Sequence, residues 1–358
     1  MLEIWRAGGS NTGFSGAAAE AVEAEGWDGQ MFMDSQALSA DPYVLMGAWA
    51  GATRRLKLGT GVTNPLTRNL AVTAAAAASV QAISGGRAVL GIGRGDSALA
   101  YLGLAPAPLA GFERALTTLQ ALLSGAAVDF ATTGERGESR SAAGLSLGAR
   151  PDVTQLKWLP QGLAKVPLDV AATGPKVIAM GARIAERVTF SVGADPERLR
   201  WALALGHAAR AEAGLPADGP SWGAQLLLVC HPDADTALEV AMAMAPPLAR
   251  FQVMEGAAAG PGGGDASLAA VRAGYDMTRH GEIGETRRLT QGALSPDFVR
   301  RFAVVGPPDH CLARLAALRA LGIDRFVIVG PGFYPEAWGT ARDLFAREVM
   351  PALRAHCE

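Results

Sequence analysis

Cysteine is scarce in this chain, and the three that occur stand far apart. Cys230, Cys311 and Cys357 are odd in number and share no metal-ligand spacing over 358 residues. This pattern argues against a disulfide framework and against a cysteine-based metal centre. We therefore expect buried, reduced thiols in a cytoplasmic protein.

The sequence has neither a large excess of one charge nor a long apolar run. The formal net charge is −2, so the composition gives no reason to expect nucleic acid or an anionic membrane surface as a partner. No apolar run approaches the roughly 20 residues of a membrane-spanning helix, and the start lacks the features of a secretory signal. With 49% hydrophobic residues, the chain is predicted to be a soluble α/β protein with a sizeable core.

Several motifs of well-known catalytic sites are also missing. There is no GxxxxGK[ST] sequence of a nucleotide triphosphatase and no Gly-x-Ser-x-Gly elbow of a hydrolase. No two histidines stand at a metal-ligand spacing, so we expect no metal site.

Buried apolar runs alternate with helical patterns about eight times, without an internal repeat. The predicted strands are residues 2–5, 31–33, 56–62, 88–92, 168–172, 188–192, 222–230 and 325–329. The alternation predicts a single (β/α)8 barrel over residues 1–358, with a doubly wound open sheet as the alternative. Two stretches interrupt it. Residues 125–167 form an excursion before the fifth strand that could carry a short strand pair, and residues 254–300 form a lid-like insertion before the eighth.

The sequence RAVLGIGRGDS, residues 87–97, joins a buried strand to a glycine-rich end. Alternating glycines let a planar or anionic ligand approach the backbone closely, and Arg94 offers donors that suit a phosphate. The candidate binding residues here are Gly93, Arg94, Gly95, Asp96 and Ser97. The alternative is a solvated tight turn. A dinucleotide-binding fingerprint is disfavoured because prolines at residues 106 and 108 delay the next helix.

A second anion-suited stretch follows the fifth predicted strand. Thr173, Gly174, Pro175 and Lys176 lie between that strand and the next helix, and they are candidate binding residues together with Ala172, which ends the strand. Free N–H groups at a helix start, a hydroxyl and a lysine together favour a phosphate. The simpler interpretation is a helix cap supplied by the threonine alone.

Three residues are candidates for proton transfer. Asp34 follows the second predicted strand, and Glu255 and His280 lie in the lid-like insertion. Because the carboxyl ends of barrel strands carry the chemistry, Asp34 also leaves open a phosphate-binding isomerase or aldolase.

Three motifs, TGVTNPLTRN, SGGRAVLGIGRGDSALAYLG and PLDVAATGPK, resemble the bacterial luciferase-like superfamily in their order and spacing. The resemblance covers most of the chain and is strongest to the branch of methylenetetrahydromethanopterin reductase and related deazaflavin-dependent oxidoreductases. It implies a (β/α)8 barrel that dimerises and binds coenzyme F420 or FMN at the carboxyl face. The alanine-rich helix predicted at residues 70–83 is a candidate subunit contact, although it would serve equally as a tightly packed internal helix.

The resemblance also implies roles for particular residues. Arg94 and the loop 173–176 would contact the cofactor phosphate, and Gly61-Val62 would form a non-proline cis peptide that supports the ring, followed by Thr63 and Asn64. One departure is Asn69, where the family often has a histidine.

Besides the isomerase or aldolase that the fold alone allows, three functions stay open at this point. The first is hydride transfer between F420 and a small organic substrate. The second is an FMN-dependent monooxygenase served by a separate flavin reductase, and the third is a non-catalytic flavin-binding protein.

Overall fold

Eight parallel strands close into a barrel in the computed structural model of this chain, which describes residues 2–8, 15–130, 149, 151–254, 260–280, 292–330 and 343–357. The barrel order is β1, β2, β3, β4, β7, β8, β9 and β11, and β11 pairs again with β1. The strands of the described residues are β1 Glu3–Gly8, β2 Gly29–Phe32, β3 Lys57–Thr60, β4 Ala88–Ile92, β5 Val128–Asp129, β6 Val153–Thr154, β7 Leu168–Ala172, β8 Arg187–Phe190, β9 Ser221–Cys230, β10 Val304–Gly306 and β11 Arg325–Val329. The predicted barrel is confirmed, and the open sheet is excluded.

Helices cover the outside of the barrel and follow the strands in alternation. Their bounds are α1 Gly16–Ala24, α2 Pro42–Ala52, α3 Leu70–Ser84, α4 Ser97–Ala100, α5 Leu109–Leu123, α6 Pro175–Ile184, α7 Pro196–Glu212, α8 Ala234–Met244, α9 Pro246–Ala249, α10 Ala266–Gly274, α11 Pro296–Phe302, α12 Pro308–Ala320 and α13 Met350–Cys357. The main apolar core lies between these helices and the strands. None of the helices in the described ranges is long and apolar enough to cross a membrane.

Charged side chains fill the amino end of the barrel interior. Arg325 is fully buried and pairs with Asp169 at 3.1 Å, while Arg187 pairs with Glu3 at 2.7 Å and lies over the ring of Trp5. Burial alone would raise the pKa of Glu3, but the adjacent arginine lowers it to about 2. Charged side chains thus occupy the amino end of the interior, and the carboxyl ends of the strands are where a barrel of this kind carries its site.

The excursion and the insertion both contain regular secondary structure. The predicted strand pair is present in the excursion, where β5 pairs antiparallel with β6. The insertion carries α10 and α11, and it leads into β10, a short strand that pairs with the last residues of β9. Neither β10 nor the helices α10 and α11 were predicted from the sequence.

Two of the three cysteines have described side chains. Cys230 and Cys311 are free and fully buried, as predicted. The neighbouring Cys230 thiol and burial both raise the pKa of Cys311.

Candidate active site

The carboxyl end of β4 approaches its neighbours so closely that only glycine fits there. A Cβ atom on Gly91 would lie 2.0 Å from the Thr60 carbonyl oxygen, and one on Gly93 would lie 3.2 Å from Val62 Cγ2. Gly95 has a φ of +93° and is the third position of this kind. The glycines therefore bring the backbone of this strand end against the end of β3.

Arg94 is half-buried in the middle of this glycine-rich end. Its Nε donates to the Ala107 carbonyl oxygen at 2.7 Å, and the Ala107 N–H donates back to the Arg94 carbonyl oxygen at 2.9 Å. These bonds fix the base of the guanidinium, while its two terminal nitrogens make no hydrogen bond within the part of the chain that the structure describes. The side chain is thus oriented and still able to bind an anion.

A non-proline cis peptide joins Gly61 to Val62 at the end of β3, which confirms the predicted position. Beyond it the chain bonds to β4: the Thr63 N–H donates to the Gly91 carbonyl oxygen, and the Gly93 N–H donates to the Thr63 carbonyl oxygen, each at 2.9 Å. The Asn64 side-chain oxygen accepts from the N–H groups of residues 66 and 67. Thr63 Oγ1 and Asn64 Nδ2 are buried without a partner among the described residues.

The loop after β7 ends at a helix start that no side chain caps. Gly174 occupies the cap position of α6, Pro175 begins the helix, and Lys176 is exposed. The interpretation that Thr173 only caps this helix is wrong, because the residue at the cap position is glycine. Since β7 pairs with β4, this loop and Arg94 follow adjacent strands. Ala172, the last residue of β7, is buried between them.

Asp34 lies buried after β2 in an ion pair with Arg68. A second terminal nitrogen of Arg68 binds Asp41 at 2.7 Å, and the guanidinium lies 5.2 Å from the ring centre of Tyr43. The same loop is joined to the end of β4, because Ser35 Oγ lies 3.1 Å from Ser97 Oγ. The structure thus brings the ends of β2, β3 and β4 together.

His280 lies in the insertion and belongs to a small polar cluster. His280 Nδ1 lies 2.5 Å from the Tyr275 hydroxyl oxygen, and Arg250 lies 5.3 Å from the ring centre of Tyr275 and pairs with Asp96. Burial and the nearby Arg250 lower the pKa of His280 to about 4, so its imidazole is neutral at pH 7.

Some of the relevant residues were missed at the level of sequence. Arg68, Arg250 and Tyr275 all contact a predicted site residue, and neither Arg250 nor Tyr275 stands in a recognisable motif. Arg68 belongs to the TGVTNPLTRN stretch, and that placement was the available signal. Glu255 lies outside the described residues. No group of three or more potential metal ligands occurs in the described ranges.

Comparison with protein families decides where this barrel belongs. The family model of the luciferase-like monooxygenases matches residues 8–325. The chain belongs to this family. That membership makes it an oxidoreductase-type enzyme with the luciferase-like barrel.

Curated relatives of this luciferase-like protein align over most of its length. A 5,10-methylenetetrahydromethanopterin reductase from Methanolobus tindarius is 26% identical over 87% of this chain and 89% of the relative. An F420-dependent glucose-6-phosphate dehydrogenase from Microbacterium testaceum is 28% identical over 86% of this chain and 82% of the relative. The resemblance to the deazaflavin-dependent branch is confirmed.

Solved structures share the fold of this luciferase-like protein at lower identity. An F420-dependent secondary alcohol dehydrogenase in complex with an F420–acetone adduct superposes with a TM-score of 0.73 at 19% identity, covering 99% of both chains. The oxygenating constituent of a 3,6-diketocamphane monooxygenase from Pseudomonas putida, in complex with FMN, superposes with a TM-score of 0.65 at 17% identity, covering 98% of both. Both likenesses concern the fold alone.

Proposed function

We propose that this protein is an F420-dependent oxidoreductase that transfers a hydride between the deazaflavin and a small organic substrate. The observation that carries the proposal is the placement of two anion-suited groups, Arg94 and the uncapped start of α6, at the ends of the adjacent strands β4 and β7. The F420-dependent dehydrogenase among the curated relatives supports the choice of cofactor.

The residues at the strand ends fit a flavin-like cofactor in two ways. Arg94 and Lys176 provide positive charge beside free helix N–H groups, which suits a phosphate. The glycines at the end of β4 bring its backbone against the end of β3, and a flat ring system could lie on the surface that Gly61 and Val62 form beside them. The proposed cofactor-binding residues are Gly61, Val62, Thr63, Asn64, Gly93, Arg94, Gly95, Asp96, Ser97, Ala172, Thr173, Gly174, Pro175 and Lys176.

A bound deazaflavin would supply the hydride chemistry, and the protein would supply binding and orientation. The charges of Arg94 and Lys176 would anchor the phosphate end. Contacts near β3 would then set the position of the ring relative to the substrate.

His280 is the proposed proton-transfer residue. With Nδ1–H donating to the Tyr275 hydroxyl oxygen, Nε2 keeps a free lone pair that can accept the proton of a substrate hydroxyl. Its lowered pKa keeps it neutral and ready for that role at pH 7. Asp34 is disfavoured because Arg68 holds it as an ion-paired carboxylate. Glu255 remains a candidate outside the described residues.

The test is a side-by-side fluorescence titration of the purified protein with F420 and with FMN. We expect tight binding of F420 and none of FMN. Arg94→Ala should weaken F420 binding about 10- to 100-fold, because a charged hydrogen-bond donor is lost. Arg114→Ala, which removes an exposed arginine of α5, is the matched control and should leave binding unchanged. Failure of the wild type to bind either cofactor, or no effect of Arg94→Ala, would contradict the proposal.

The second candidate is an FMN-dependent monooxygenase that works with a separate flavin reductase. The description of the matching family and the FMN-bound neighbour in fold favour it. Tight binding of FMN alone in the same titration would establish this alternative over the first.

We also propose that the protein is a homodimer formed through α2 and α3. These helices pack side by side, and their outer surface exposes Val44 by 71%, Val72 by 57% and Ile83 by 61%. Cβ atoms placed on Gly47 and Gly51 would meet nothing within 4 Å, so a second backbone could approach closely there. An apolar surface of this kind is typical of a contact between subunits.

A further inference from the structure

Arg250 is enclosed although it carries a charge. It lies in the 3₁₀ turn Arg250–Val253, directly before the insertion, and its side chain is only 6% exposed. Its guanidinium pairs with Asp96 and lies 4.6 Å from the ring centre of Phe251 and 5.3 Å from that of Tyr275. Arginines are rarely buried this far unless a charge and aromatic faces hold them. The contact is therefore a defined link between the turn that leads into the insertion and the end of β4.

The other end of this link lies within the proposed cofactor loop. Asp96 is separated from Arg94 by Gly95 alone, whose positive φ makes the turn between them. Asp96 also occupies the cap position of α4, yet it makes no capping hydrogen bond with its side chain. Its carboxylate therefore pairs with Arg250 and does not cap α4.

A second contact joins the same two parts of the molecule. The Tyr101 hydroxyl lies 3.1 Å from the Met277 carbonyl oxygen and 3.2 Å from that of Thr278. Tyr101 directly follows α4, and residues 277 and 278 lie between Tyr275 and His280. The β4 loop and the segment that carries His280 are consequently tied at two points.

We propose that Arg250 is a positioning residue that holds the 93–97 loop through Asp96. Because Arg250 fixes this loop, it orients Arg94 to bind the cofactor phosphate. Arg250 also packs on Tyr275, and this contact joins the segment that carries His280 to the same loop. This inference rests on the proposed function, because it assumes that the cofactor phosphate binds at Arg94. It assigns to the turn before the insertion a part in cofactor binding.

The experiment compares cofactors with and without the phosphate. The affinities of Arg250→Met, Arg250→Lys, Asp96→Asn and the double variant Arg250→Met/Asp96→Asn are measured by fluorescence for F420 and for its phosphate-free deazaflavin form. We expect Arg250→Met to bind F420 about 10- to 100-fold more weakly and to bind the phosphate-free form as the wild type does. The lysine variant should recover part of the affinity, and the double variant should be no weaker than Arg250→Met.

Arg300→Met is the matched control, because Arg300 lies in the insertion and forms an exposed ion pair with Asp297. It should bind both forms as the wild type does. If only FMN binds, the same comparison is made with FMN and riboflavin.

Two results would overturn the inference while leaving the proposed function intact. One is F420 binding by Arg250→Met and Asp96→Asn at wild-type affinity. The other is an equal loss of affinity for both forms of the cofactor, which would indicate a general structural role. If the wild type binds neither F420 nor FMN, the proposed function and this inference fail together. Should Arg250→Met not fold, the lysine and asparagine variants give the same comparison.

Discussion

Asp34 and His280 are both polar residues near the mouth of the barrel, but their surroundings differ. Asp34 is buried against Arg68, and its carboxylate is used in that ion pair. Among the described residues His280 forms a hydrogen bond with the Tyr275 hydroxyl, and burial together with the nearby Arg250 keeps its imidazole neutral. At the scale of single residues, we therefore expect the ion-paired carboxylate of Asp34 to stabilise the fold. We expect the neutral imidazole of His280, which has a free lone pair, to transfer a proton.

This difference predicts opposite effects of two conservative substitutions. Asp34→Asn should lower the free energy of unfolding by about 1–3 kcal/mol, because Arg68 loses its buried partner, and it should change turnover little. His280→Gln should leave the free energy of unfolding unchanged and lower kcat about 100-fold or more. Urea unfolding and steady-state kinetics on the same preparations measure both quantities. A large loss of kcat with unchanged stability in Asp34→Asn would instead make Asp34 the proton-transfer residue.

At the scale of elements, the sequence predicts best where one local pattern determines the structure. The buried run of residues 88–92 is read directly from neighbouring residues, and β4 lies where it was expected. The helix after β7 was also expected, but it begins at Pro175, two residues earlier than the linking stretch 173–176 had suggested. The strand β10 has only three residues, so it carries no periodic pattern that could identify it. The ion pair of Arg250 with Asp96 joins positions 154 residues apart, and only the closed barrel brings them together.

Gly193 shows how the insertion is fastened to the barrel. It follows β8 with a φ of +79°, and a Cβ atom on it would lie 2.5 Å from the Phe302 ring and 2.8 Å from the Phe302 carbonyl oxygen. The next residue, Ala194, donates its N–H to that oxygen at 2.7 Å. The end of α11 therefore packs directly on the backbone after β8.

Two glycine-to-alanine substitutions separate the cost of a left-handed backbone conformation from the cost of packing against Phe302. Gly214 has a φ of +67° after α7, but a Cβ atom on it would meet nothing within 4 Å. Gly214→Ala should cost about 1–2 kcal/mol for the left-handed conformation alone. Gly193→Ala should cost about 1–3 kcal/mol more, because Phe302 must also move. Thermal or urea unfolding gives both values, and equal losses in the two variants would contradict the packing of α11 on Gly193.

At the scale of the whole molecule, the two ends of the barrel and its outer surface have separate tasks. The amino end is closed by the ion pairs around Arg325 and Asp169, and the carboxyl end carries the polar residues. The apolar residues exposed on α2 and α3 lie on the outside of the barrel. An exposed apolar surface of this kind is suited to a second copy of the chain.

The dimer proposal predicts that one charge placed on this surface separates the subunits. Val72→Glu should convert the dimer into a folded monomer, because a stable interface of about 800 Å² per subunit does not tolerate an unpaired buried carboxylate. Trp158→Glu is the matched control: this residue is 48% exposed in the excursion, so its substitution should leave the dimer intact. Light scattering coupled to size-exclusion chromatography gives the mass of each variant. A monomeric wild type would refute the dimer, whereas a dimeric Val72→Glu protein would place the interface elsewhere. Because α3 leads into β4, whose end carries Arg94, F420 titration of the monomeric variant would also show whether assembly supports cofactor binding.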